Sequence, residues 1–163
     1  MAKLSTLQDL FNEQLRDLYN AEEQIIKALP KMAQSASAPE LRAGFEEHLR
    51  ASEGHRDRVH MILEGMGQRA EGHVCKAMEG LLREGDEIMH ERADPQVRDA
   101  ALIAAAQRVE HYEMAGYGCV RTWANVLGMP DVARQLQFIL DQEGETDKKL
   151  TDMAERVINQ QAL

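Results

Sequence analysis

Six residues of this 163-residue chain combine type and spacing in a way that could hold metal: Glu22, His55, Glu110, Glu113, Glu143 and Asp147. Glu110 and Glu113 lie in "RVEHYEMAGYG", directly behind the alanine-rich run "RDAALIAAAQ". Residues three apart share a helix face, so a helix through this segment turns both carboxylates toward its own apolar side. Buried carboxylates are costly unless something positive meets them. Either the face is solvated here, or a cation is bound. Carboxylates supply the charge and the bridging oxygens that two divalent cations need, and an imidazole adds a neutral nitrogen that suits iron, manganese or zinc. Without metal, the same cluster would repel itself or hold protons by raising several pKa values.

The apolar pattern supplies the elements that must position these groups. Leu4, Leu7, Phe11, Leu15, Leu18, Ile25 and Leu29 keep the 3-4 spacing of an amphipathic helix behind a cap at Ser5 or Thr6, running from about residue 5 into the low thirties. Pro30 should kink or tighten its last turn. "SASAP" then stops the chain and restarts it, with Ser37 as cap ahead of Pro39. A second helix follows over roughly 39–67, with Leu41, Phe45, His48, Ser52, His55, Val59, Ile62 and Met66 inward. Residues 67–75 read as a loop, and "KAMEGLLREGDEIMHER" as a shorter helix. Pro95 opens the third long helix, which ends at "LGMPD", and the fourth fills the remainder through Leu136, Leu140, Glu143, Asp147, Leu150, Ala154 and Val157. Four long helices in two hairpins, joined by a long connection carrying a short helix, predict an all-α bundle formed by a single domain over 1–163.

Each long helix interrupts its apolar stripe near the middle. Counted from the nearest hairpin turn, Glu22, Glu113 and Glu143 lie about 14–15 residues away and His55, Glu110 and Asp147 about 18, which at about 1.5 Å rise puts them in one slab roughly 6 Å thick. Five carboxylates and a histidine in one slab across four helices is the layout of a dinuclear metal site. Glu22, rather than Glu23, keeps step with Leu18, Ile25 and Leu29. On the same count His48 lies two turns from His55 and is expected to be structural. His111 points about 100° away from Glu110 and is expected outside the ligand set. Glu53 and Asp57 are expected on the solvated side. Tyr19, Tyr112 and Tyr117 are expected to pack, with hydroxyls able to bond a ligand carboxylate.

Bulk composition narrows the function classes. Acidic residues outnumber basic ones 28 to 19, and the formal charge of −9 repels nucleic-acid backbones and anionic lipid surfaces. No window approaches a membrane span, and the amino terminus has neither a long apolar run nor a small-residue cleavage site, so a soluble cytoplasmic protein is expected. Cys75 and Cys119 form no CxxC motif, and Cys119 is expected to pack within its helix as a small hydrophobe.

The segments "LFNEQLRDLYNAEEQIIKALPKMA", "EEHLRASEGHRDRV", "CKAMEGLLREGDEI", "RDAALIAAAQRVEHYEMAGYG" and "DKKLTDMAE", in this order over essentially the whole length, resemble the YciE/YciF family of ferritin-like bacterial proteins. The resemblance implies a ferritin-like bundle, a non-haem centre of two iron ions, ferroxidase-type reactivity toward oxygen or peroxide and a link to stress responses. Ferritin-like sites draw Glu-x-x-His motifs from the second and fourth helices; this chain has Ser52-Glu-Gly-His55 and Glu143-Gly-Glu-Thr146 there, with Asp147 one position later. Two function classes therefore stand: a di-iron oxidase, expected as a homodimer, and a non-catalytic helical protein whose polar core holds a structural ion or protons.

Overall fold

The structure, a computed structural model, describes residues 4–163, so the first three residues of the expected domain lie outside the described residues. Thr6, rather than Ser5, caps the first helix. Its hydroxyl accepts the Asp9 backbone N–H at 3.1 Å while the Asp9 carboxylate accepts the Thr6 N–H at 2.9 Å, satisfying two donors that the first turn leaves free. Leu4 precedes the helix and is exposed instead of continuing its apolar stripe. Helix α1 (Leu7–Ser35) carries Pro30 inside it on an exposed face and continues to Ser35.

Helix α2 (Pro39–Gly65) starts from Ala38, not Ser37, and no side chain of its own caps it. The cap comes from elsewhere in the bundle. Asp99, at the start of α4 (Pro95–Val126), accepts the backbone N–H groups of Ser37 and Ala38, each at 2.8 Å, and is itself buried. Helix α3 (Lys76–His90) occupies the long connection. Gly128, at φ +75, makes the turn from α4 into α5 (Pro130–Met153), a backbone conformation that a Cβ would strain. The chain after α5 widens into a π-helical turn, Ala154–Ile158, and ends with Asn159–Gln161, where a continuous helix was expected.

Two apolar cores flank the middle of the bundle. At one end Ala36 and Leu41, beside the α1–α2 turn, cluster with Leu102 of α4, Leu150 of α5 and Ile158. At the other, Phe11 of α1 and Leu63 of α2 cluster with Ala124 and Ala133, which flank the α4–α5 turn. The two hairpin turns are therefore at opposite ends, and α3 packs against α1 and α4 as the chain crosses back. This is a ferritin-like four-helix bundle with an added short helix in the crossover.

Replacing Asp99 by Ala leaves two N–H groups of the α1–α2 turn without their charged acceptor, and should cost about 2–4 kcal/mol. Denaturant melts of Asp99→Ala check this; a change near zero would show that water takes over the cap.

Candidate metal centre

Between the two cores the apolar lining gives way to polar groups: Glu22, His48, Ser52, His55, Glu110, Glu113 and Glu143 are all buried. Their donor atoms form two compact groups. His48, Glu110, Glu113 and Glu143 can each place one ligand atom within 4.8 Å of all the others, and so can Glu22, His55 and Glu143. Glu143 belongs to both. Two such groups sharing one carboxylate, with the other side chains on α1, α2 and α4, could hold two cations side by side.

The oxygens present fit such a pair. Both carboxylate oxygens of Glu110, Glu113 and Glu143, and Oε2 of Glu22, are buried without a hydrogen-bond partner, as are both ring nitrogens of His48. Buried polar atoms are otherwise almost always satisfied, and here the unsatisfied ones converge. Hard oxygen donors with imidazole nitrogens suit iron, manganese or zinc.

The protein alone meets this charge only in part. Burial raises the pKa of Glu22, against the pull of its His55 and Tyr117 partners. Burial, and then the Glu143 charge, holds Glu110 and Glu113 well above the usual carboxylate range. Burial would lower the pKa of His55, but the Glu143 and Glu22 carboxylates, 2.9 and 3.4 Å from Nδ1, outweigh it and bring the pKa to about 10. These approaches are short but not aligned as hydrogen bonds. At His48 burial wins and lowers the pKa to about 4. Its Nδ1 lies 3.2 Å from Glu110 Oε1. With a neutral ring facing a carboxyl that favours its proton, we read this contact as one between neutral groups, not as an ion pair. Neutral imidazole is also the form that ligates metal.

A layer of supporting contacts orients the donors. Tyr117 Oη donates to Glu22 Oε1 at 2.7 Å, and the Tyr117 ring stands edge-on to that of His55. Gln142 Oε1 lies 2.9 Å from His55 Nε2; an amide oxygen can only accept, so Nε2 carries a proton there, and Nδ1 is the nitrogen turned toward Glu22 and Glu143. Helices α1 and α4 approach closely because position 116 is glycine: a Cβ there would lie 2.7 Å from Leu18 Cδ2. That approach lets Tyr117, one residue on, reach Glu22, one turn beyond Leu18.

Five of the six residues singled out from the sequence, Glu22, His55, Glu110, Glu113 and Glu143, meet here. Asp147 does not join either group. The inward line of α5 passes between Thr146 and Asp147 at this level; Asp147 turns toward α4, where Gln107 Nε2 donates to its Oδ1 at 3.1 Å and His111 Nε2 lies 3.4 Å away. Its charge still acts on Glu110. Thr146 Oγ1 donates to the Gln142 carbonyl at 3.0 Å.

His48, expected to be structural, is the residue that the sequence reading missed. The two hairpin turns lie at opposite ends of the bundle, so equal distances from them do not mark one level. His48 is about 12 residues past one turn and Glu110 about 18 before the other, which is one level in helices of about 30 residues. The signal was present, since His48 and His55 are seven apart on a single face of α2. Glu53 and Asp57 are exposed as expected. Cys119 is exposed, not packed; Cys75 is the buried thiol, 3.0 Å from Tyr112 Oη, whose hydroxyl also donates to Asp17.

Fold and site together define an all-α, ferritin-like bundle with a carboxylate–histidine core. The chain belongs to the YciE/YciF family: the family described as a domain of unknown function (DUF892) matches residues 6–163. Protein YciF of Escherichia coli (strain K12) is 41% identical over 160 residues, covering 98% of this chain and 96% of its own. The crystal structure of the E. coli stress protein YciF superposes with a TM-score of 0.92 over 96% of this chain and 99% of that one, at 41% identity. YcfI from Rhodopseudomonas palustris gives a TM-score of 0.88 at 42% identity, covering 91% and 95% of the two chains. A protein from Xanthomonas campestris pv. campestris, 21% identical with a TM-score of 0.77 over 94% of each chain, shares the fold. Among the described residues no helix is long and apolar enough to cross a membrane.

The raised pKa values give the metal-free protein a defined pH response. A carboxyl whose folded pKa exceeds its unfolded one stabilises most at low pH and loses that contribution as pH rises toward the folded value. Glu22, Glu110 and Glu113 act this way, and so does His55 between 6.5 and about 10. His48 has the opposite sign, but only between 6.5 and about 4. The Tm of metal-free protein should therefore fall as pH rises above 6.5. The double replacement Glu110→Gln and Glu113→Gln should raise that Tm and flatten the slope; were both carboxylates solvated, stability would move by no more than about 0.5 kcal/mol.

Proposed function

We propose that the protein is a di-iron carboxylate protein of the ferroxidase type, binding two iron ions in the core between its helix hairpins. The convergence of unpartnered buried carboxylate oxygens on two positions that share Glu143 carries this reading. Glu110, Glu113 and His48 would hold one cation, Glu22 and His55 the other, with Glu143 between them. A bound iron pair supplies two one-electron redox steps, enough to reduce peroxide by two electrons. Tyr117 fixes the Glu22 carboxylate, Gln142 fixes the His55 tautomer, and the flanking apolar cores keep bulk water from the centre. His55, Glu110 and Glu113 would give up protons on holding a cation, because its charge would offset the burial and the neighbouring carboxylates that otherwise favour their protonated forms.

A second reading has one observation behind it. Ser52 lies buried on α2 where ferritin-like relatives would place a glutamate, and its Oγ has no partner. A site short of one carboxylate suits a structural ion or a proton store in a non-catalytic protein.

Fe(II) added in air to protein purified anaerobically separates the two. The oxidase reading expects two irons per chain, oxygen or peroxide consumed in proportion to iron, and a ferric absorbance band. Iron bound with no oxidant consumed would leave the structural reading. Binding should release protons near pH 7, seen as a dependence of the calorimetric heat on buffer ionisation enthalpy. Gln142→Ala, which frees the His55 ring, should weaken iron binding about 10–100-fold while leaving the fold intact.

A further inference from the structure

The two hairpins do not close on each other equally. Helices α2 and α5 pack far more sparsely together than α1 with α2 or α4 with α5, and a cleft of about 420 Å³ opens between them. His48 lines its floor. That side chain is only 4% exposed and neither of its ring nitrogens has a partner, so an unsatisfied metal-binding ring stands between the cleft and Glu110. Its neighbours one turn away on α2 are small, Gly44 before and Ala51 after, both lining the opening, and the Met153 methyl of α5 lies 3.6 Å from where a Gly44 Cβ would be. On the α5 side, Gln142, the residue that holds His55, also faces the cleft.

The charge at the mouth is mainly negative. Glu40, Glu47, Glu145 and Asp152 line it against a single base, Lys149. Lys149 Nζ reaches across from α5 to Glu47 Oε1 on α2 at 2.8 Å, and both side chains are 60% exposed. An exposed pair of this kind is weak and opens readily. Clefts lined by one charge concentrate the opposite ion and speed its arrival.

Building on the metal-centre reading above, we propose that the α2–α5 cleft is the port through which hydrated divalent cations reach the buried centre, with His48 as the first ligand met and the Lys149–Glu47 pair as a bar across the mouth. A cation sheds water against the carboxylates of the mouth, passes between Gly44 and Ala51, and is taken up at His48 and Glu110.

The test is the rate of Co(II) uptake by metal-free protein, followed by stopped-flow absorbance, with the final cobalt content measured separately. Ala51→Phe places a ring in the cleft without touching a proposed ligand. It should slow uptake by at least about tenfold, leave the final cobalt content and spectrum unchanged, and keep the strong decrease of rate with salt that a charged mouth imposes. Lys149→Ala, on the surface, should raise the rate. Uptake by a folded Ala51→Phe protein at the wild-type rate would overturn the port, and so would a loss of cobalt capacity together with rate, because the residue would then be acting on the centre itself. Should Ala51→Phe fail to fold, a Lys149→Ala rate equal to wild type overturns the port. Wild-type protein that binds no Co(II) would remove the metal reading and the port with it, whereas cobalt bound at an unaltered rate removes the port alone.

Discussion

Four glutamates withdrawn from water at the middle of a helical bundle set the terms for the rest of the molecule. Glu22, Glu110, Glu113 and Glu143 are fully buried, and carboxylates this close cannot all ionise in a medium that screens poorly. The fold must supply the stability that this cluster removes. It does so with two apolar cores, one at each end, whose members come from every long helix. Burial of aliphatic and aromatic side chains on both sides of the polar layer holds the helices at a separation that the layer by itself would not maintain.

The compensation inside the layer is uneven, and the unevenness follows from topology. Both core histidines come from α2, two turns apart, so that each reaches a different carboxylate: His48 approaches Glu110 and His55 approaches Glu143 and Glu22. Helix α5 contributes a carboxylate, Glu143, that lies within reach of both rings' partners. One ring is dominated by desolvation and the other by its anionic neighbours, which is why two identical side chains seven residues apart have opposite shifts. The α2–α5 face is also packed more sparsely than the α1–α4 face, the other contact between the hairpins.

Small residues and remote partners do the fine positioning. Gly116 admits Leu18 and so brings α4 near enough to α1 for Tyr117 to reach Glu22. Asp99 ties the α1–α2 turn to the start of α4, fixing the level at which the two hairpins meet. A shift of one helical turn between hairpins, about 5.4 Å, would separate His48 from Glu110 and dissolve the shared role of Glu143. The hairpin register is therefore as much a part of the site as its side chains.

What the sequence determined by itself was whatever local periodicity can encode. Apolar spacing, prolines at 39, 95 and 130, and the glycine at 128 give the helices and their ends to within a few residues, and polar residues that keep step with an apolar stripe identify Glu22, His55, Glu110, Glu113 and Glu143 as inward-facing. Five segments in family order carried the ferritin-like bundle. Local spacing does not say which end of one hairpin lies beside which end of the other, and that alone hid the partnership of His48 with Glu110. Nor does it resolve a stripe to within half a residue step, which is why Asp147 was expected inside but turns to Gln107 and His111. The Asp99 cap, the Gln142 contact to His55 and the approach of Leu18 to Gly116 join residues far apart in the chain. Each depends on distances between helices, which only the packed bundle sets.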